Sequence, residues 1–146
     1  MPEQTPHREE EFTRLFTSTR RGAHLARASA TQHLATWGYS TDAATLVVAE
    51  LAANAVAHGS ASSQDFLLHV AVHPDRPATV RGEVSDACAD QHPQPHPCLP
   101  DNDAESGRGL VLVEALALAW GVASRPYGKT VWAVVALGWG FDVEDR

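Results

Sequence analysis

Ala49-Glu50-Leu51-Ala52-Ala53-Asn54-Ala55-Val56-Ala57-His58 is the stretch whose reading decides the rest of the chain. Glu50 and Asn54 stand four residues apart, about one turn of an α-helix, so carboxylate and amide leave from one face. Leu46, Val47, Leu51, Ala55 and Val56 around them are enough apolar surface to seat that helix on a core. Polar side chains on the inner side of a helix are costly to bury without partners. The pair therefore needs a reason to be there, and a bound metal–nucleotide would supply one.

Two further stretches outline the same kind of pocket. Val84-Ser85-Asp86 reads as a strand end carrying an acid, and Ser106-Gly107-Arg108-Gly109-Leu110 as a glycine-flanked opening into a second apolar helix. Taken singly each has an ordinary explanation. Glu-x-x-x-Asn spacing recurs by chance on solvated helix faces, Gly107 and Gly109 could merely shape a turn, and Lys129 reads as a turn residue. His58 fits a helix C-terminus facing the dipole, and Trp120, Trp132 and Trp139 fit a core or an interface. The order in which the stretches occur favours a site.

The chain around these stretches is built for one domain. Its 146 residues, 44% hydrophobic and 20% charged, are those of an ordinary globular protein able to bury a single core. No apolar run has the length of a membrane span, and Met1 to Glu11 is polar and acidic. The expectation is therefore no signal peptide of the usual pattern and a cytoplasmic address. Two cysteines, Cys88 and Cys98, are too few for a disulfide framework. A net charge of −7 argues against nucleic acid as the main partner, since phosphate backbones want clustered Lys and Arg. Lys129 is the one lysine among eleven basic side chains, which together with the many alanines suggests a GC-rich genome.

Periodicity places the elements. Residues 1–11 read as a polar tail, with Glu11 to Ser18 able to start an edge strand. Thr19 is an N-cap for a helix whose apolar steps are Ala23, Ala26, Ala30, Leu34 and Trp37, stopped by Gly38. The helix of Glu50 and Asn54 follows, capped within Ser40-Thr41-Asp42 and closed at Gly59. Phe66 to Val72 and Thr79 to Asp86 are strands, the second alternating Val80, Gly82, Val84 against Arg81, Glu83, Ser85. Residues 87 to about 106, with Pro93, Pro95, Pro97 and Pro100, form a long loop. Gly109 to Trp120 is a third helix, and Gly121 to Arg125 and Thr130 to Leu137 are strands joined by Pro126-Tyr127-Gly128-Lys129. The implied fold class is α+β, a two-layer sandwich with helices on one face of a mixed, mainly antiparallel sheet.

This order of motifs, ending in Gly128-Lys129-Thr130-Val131-Trp132 on the last strand, resembles the Bergerat-fold ATPases. DNA gyrase B, histidine kinases and the heat-shock chaperone ATPases share that fold. Within it the chain looks most like the small stand-alone anti-sigma factor serine/threonine kinases of actinobacterial type. The likeness covers a domain at about residues 12–140, leaving a short tail at 141–146.

The resemblance implies ATP and Mg²⁺ as ligands. Asn54 would give an oxygen to Mg²⁺, and Glu50 would be the catalytic base near the γ-phosphate. Asp86 would accept from the exocyclic amine of adenine, with Thr130 joining Asp86 and the base. Gly107, Arg108, Gly109 and Leu110 would meet the phosphates at a helix start, and the loop at 87–106 would be a lid. The implied partners are a sigma factor, an anti-sigma-factor antagonist protein phosphorylated on serine, and a second copy of the chain in a homodimer, with no direct nucleic acid and no membrane.

Two features depart from that pattern. Asp86 is followed by Ala87-Cys88-Ala89-Asp90 rather than the glycines of Asp-x-Gly-x-Gly, and the lid is rich in proline and histidine. These favour the rival reading, a nucleotide-gated binding module without catalysis. Cys88, His92, His96 and Cys98 hold the right atoms for zinc, but their spacing is not a common zinc-finger spacing.

Overall fold

The computed structural model describes residues 10–40, 42–59, 65–74, 78–86, 104–126 and 128–137. The expected N-terminal tail up to residue 9, the C-terminal tail, most of the expected lid, and the Cys88, His92, His96, Cys98 set lie outside these residues; Glu11, expected in the tail, begins β1. The elements run β1 (Glu11–Phe16), α1 (Arg20–Thr36), α2 (Asp42–Gly59), β2 (Phe66–His73), β3 (Thr79–Asp86), α3 (Ala104–Leu116), β4 (Ala119–Arg125) and β5 (Gly128–Ala136).

The strands form one five-stranded sheet in the order β1-β2-β3-β5-β4. Among the described residues every neighbouring pair is antiparallel, where a mixed, mainly antiparallel sheet is expected from the sequence. Side-chain alternation divides its two faces. Phe66, Leu68, Val70 and Val72 of β2, Val80 and Val84 of β3, and Val131, Ala133 and Val135 of β5 are buried on the inner face. The three helices supply the second layer, and α2 packs on α1, α3 and the inner face of β2, β3 and β5. On α2 the buried positions Ala44, Val47, Val48, Leu51, Ala52 and Ala55 fall at helical spacing. Leu46, expected among the seating residues, is 45% exposed because it falls outside that stripe.

Local chemistry fixes the ends of α1. Thr19 Oγ1 accepts from the Gly22 N–H at 2.9 Å, an N-cap bond. At the other end Tyr39 N–H donates to Leu34 O and Gly38 N–H to Ala35 O, with Gly38 at φ +93°. That is a Schellman closure, which the missing Cβ of glycine permits. The Tyr39 hydroxyl then donates to Glu10 at 2.9 Å and ties the chain before β1 to the end of α1. Burial, this hydrogen bond and the Glu10 charge push the Tyr39 hydroxyl up to about 12, so it stays a donor at neutral pH.

The third helix departs from expectation at both ends. It begins at Ala104 rather than Gly109, taking residues 104–106 out of the expected lid. No proline follows Pro100 before Leu110, so nothing in the backbone bars helix there. It ends at Leu116, well before Trp120. The reason is competition from the sheet: the Leu118 N–H already donates to Val134 O at 2.7 Å, and Trp120 pairs with Ala133.

Candidate functional site

Glu50 and Asn54 are both half-buried and lie in the middle of α2. Their direction follows from the neighbour that marks the other flank. Thr45 of α2 shares a 2.9 Å hydrogen bond with Thr31 of α1. At about 100° per residue, Glu50 and Asn54 sit roughly 140° and 180° around the helix from Thr45. They therefore line the flank turned away from α1. The same helix packs on β3 and β5, the strands that carry Asp86 and Thr130.

Asp86 is the last residue of β3 and faces the helices, in the same row as Val80 and Val84. Its cross-strand partner is Lys129. Lys129 Nζ donates to Asp86 Oδ2 at 3.0 Å, and the two side chains are only 6% and 5% exposed. Lys129 is thus the second residue of β5 and an inner-face charge, not a turn residue. At this burial the pair is a unit, since removing one partner of a buried ion pair typically costs about 3–5 kcal/mol through the charge left behind.

Thr130 sits elsewhere. One step along β5 it points to the opposite face of the sheet, where its hydroxyl meets Ser85 Oγ at 2.7 Å and accepts from Arg125 Nη1 at 3.0 Å. The expectation that Thr130 joins Asp86 is corrected by the pleat: Asp86 pairs with Lys129 and Ser85 with Thr130, and the two pairs project to opposite sides. The residue beside the candidate base-binding acid is Lys129. Strand alternation alone could have revealed this, had the register of β5 against β3 been known.

Gly107, Arg108 and Gly109 lie within α3, and Leu110 packs against the core beside buried Val113. The expected glycine opening is therefore part of the helix body. Its first turn, where backbone N–H groups lack intrahelical acceptors, is formed by residues 104–107. That end lies about 7.5 Å upstream of one starting at Gly109.

The donor set suits a hard cation. Asn54 offers an amide oxygen and Glu50 a carboxylate on one helix flank, and oxygen donors are what Mg²⁺ takes, with several waters retained. Among the described residues no group of three or more His, Cys, Asp or Glu side chains gathers to hold a metal. No helix among the described residues is long and apolar enough to cross a membrane.

The family described as the histidine kinase-like ATPase domain matches residues 16–135, from the end of β1 to the end of β5. No individual curated protein matches the chain.

Proposed function

The chain belongs to the histidine kinase-like ATPase domain family, and from that premise we propose that it is a Mg²⁺-dependent protein serine/threonine kinase acting as an anti-sigma regulatory factor. In this reading it binds ATP, holds a sigma factor, and phosphorylates a serine of an anti-sigma-factor antagonist. One observation carries the proposal: Glu50 and Asn54 stand half-buried, one turn apart, on the flank of α2 turned from α1.

Each residue then has a task. Asp86 accepts from the exocyclic amine of the base, and Asn54 holds the Mg²⁺ that accompanies the phosphates. The bound ion would neutralise charge on the β- and γ-phosphates. Glu50 takes the proton of the serine hydroxyl as its oxygen bonds to the γ-phosphorus. The bond from that phosphorus to the β,γ-bridging oxygen breaks, and ADP leaves with the electron pair. The unpaired N–H groups of the first turn of α3, residues 104–107, would offer the phosphates a helix terminus. No covalent bond to the protein is needed, so position and charge account for most of the rate. The net charge of −7 suits capture of basic protein surfaces, and the family resemblance suggests a homodimer.

The buried Lys129–Asp86 pair favours a second reading, a nucleotide-gated binding module without transfer, because it changes the base end of the site. The test separates the two. With purified antagonist domains and labelled ATP, the wild-type protein is expected to transfer phosphate to serine. Glu50→Gln should bind nucleotide within about twofold of wild type and lose transfer by roughly 10²–10⁴-fold. Undiminished transfer by that variant would remove Glu50 from the chemistry, and binding without transfer by wild type would leave the second reading.

A further inference from the structure

The ion pair between Lys129 and Asp86 has no counterpart in the roles given above, and it stands where the base would be read. We propose that Lys129 is a specificity-determining residue that reads the base together with Asp86, an inference that rests on the nucleotide-site reading. The pair places an acceptor and a cationic donor 3.0 Å apart on the inner face of the sheet, at the end of β3 and the start of β5. Adenine carries on one edge an exocyclic amine, a donor, beside the unprotonated ring nitrogen N1, an acceptor. Asp86 takes the amine and Lys129 donates to N1.

The alternative, in which the base pushes Lys129 aside, is disfavoured by the burial of both side chains. Displacement would strand a charge away from water. A carboxylate presents about four lone-pair sites and an ammonium three protons, so one bond between them exhausts neither. The base can therefore join the pair instead of breaking it. Hypoxanthine in the same pose brings an oxygen to the carboxylate and an N–H to the ammonium, two mismatches at once. Buried mismatches of this kind discriminate strongly because they leave polar groups unpaired.

The experiment uses the whole chain and three probes with Mg²⁺: ADP, 1-deaza-ADP, in which ring N1 is replaced by C–H, and inosine diphosphate. Affinities are measured calorimetrically. A hydrogen bond to a charged donor predicts that wild type binds 1-deaza-ADP roughly ten- to hundredfold more weakly than ADP, and inosine diphosphate more weakly still. In Lys129→Met the 1-deaza penalty should shrink to within about twofold. Should that variant not fold, Asp86→Asn/Lys129→Met removes both charges together and leaves no buried ion unpaired, and the same shrinkage is expected.

Equal affinity of wild type for ADP and 1-deaza-ADP overturns the role of Lys129 while leaving the nucleotide site intact. So does a 1-deaza penalty that persists without the lysine. Failure of the folded wild-type protein to bind ADP at all overturns the nucleotide-site reading and this inference with it.

Discussion

At Asp86 a single neighbour alters what the residue can do. A carboxylate alone at a strand end is an acceptor for a base; with Lys129 Nζ at 3.0 Å and both groups almost wholly buried, it is also half of a structural pair. Exposed ion pairs contribute little to stability, whereas splitting a buried one is expensive. Asp86→Ala is therefore expected to destabilise the fold by about 3–5 kcal/mol, beyond any effect on ligand binding, as measured by urea denaturation without nucleotide. Asp86→Asn/Lys129→Met should recover most of that loss, because no charge is left unpaired. A stability for Asp86→Ala within about 0.5 kcal/mol of wild type, the range of an ordinary surface change, would mean that the pair does not act as a unit. The acid was legible in the sequence because it ends an alternating strand; its partner was not, because a lysine next to a Pro-Tyr-Gly turn carries no mark of burial.

Among the elements, α1 shows how far local chemistry reaches. Thr19 as cap, the apolar steps through Ala26, Ala30 and Leu34, and Gly38 as stop are all sequence signals, and each holds in the structure. What local chemistry does not disclose is the packing at Gly22. A Cβ there would fall 1.9 Å from the Thr17 carbonyl oxygen, a backbone atom that cannot step aside without reshaping the β1–α1 connection. Gly22→Ala raises helix propensity by roughly 1 kcal/mol in an unobstructed helix, yet here it should lower stability, while Thr19→Ala should cost about 1 kcal/mol through the lost cap. Denaturation midpoints of the two variants check both signs, and a stabilised Gly22→Ala protein would show that the connection yields easily. The third helix marks the limit in the other direction. Its residues read as helix through Trp120, but the carbonyl of Val134 takes the N–H of Leu118 and draws the chain into the sheet. A long-range bond that depends on strand order decided this boundary, and strand order is not a local property.

For the whole molecule, that strand order is also what brings together the two residues proposed to read the base. The hairpin of β4 and β5 could meet β3 with either strand, and only β5 next to β3 brings Lys129 opposite Asp86. The choice follows burial: β5 is buried at Lys129, Thr130 and Val131 and alternates buried and half-buried residues on to Val135, whereas β4 from Ala123 to Arg125 is exposed and suits an edge. The sandwich thus holds the α2 residues on one layer and Asp86 with Lys129 on the other, and a ligand touching both layers must be linked to global stability. At a concentration one hundred times its dissociation constant, a ligand of the native state adds about 2.7 kcal/mol. For a domain of this size that is roughly 5–10 °C in Tm. Mg·ATP is expected to raise the Tm of the wild-type protein by that amount. If Asn54→Ala weakens binding about tenfold, the same nucleotide concentration adds only about 1.4 kcal/mol and roughly half the shift. Differential scanning calorimetry with matched Mg²⁺ controls makes the comparison. An equal shift in the Asn54→Ala protein would detach α2 from the nucleotide. A wild-type shift that vanishes when Mg²⁺ is chelated, joined to a halved shift in the variant, would tie the helix and the sheet to one ligand.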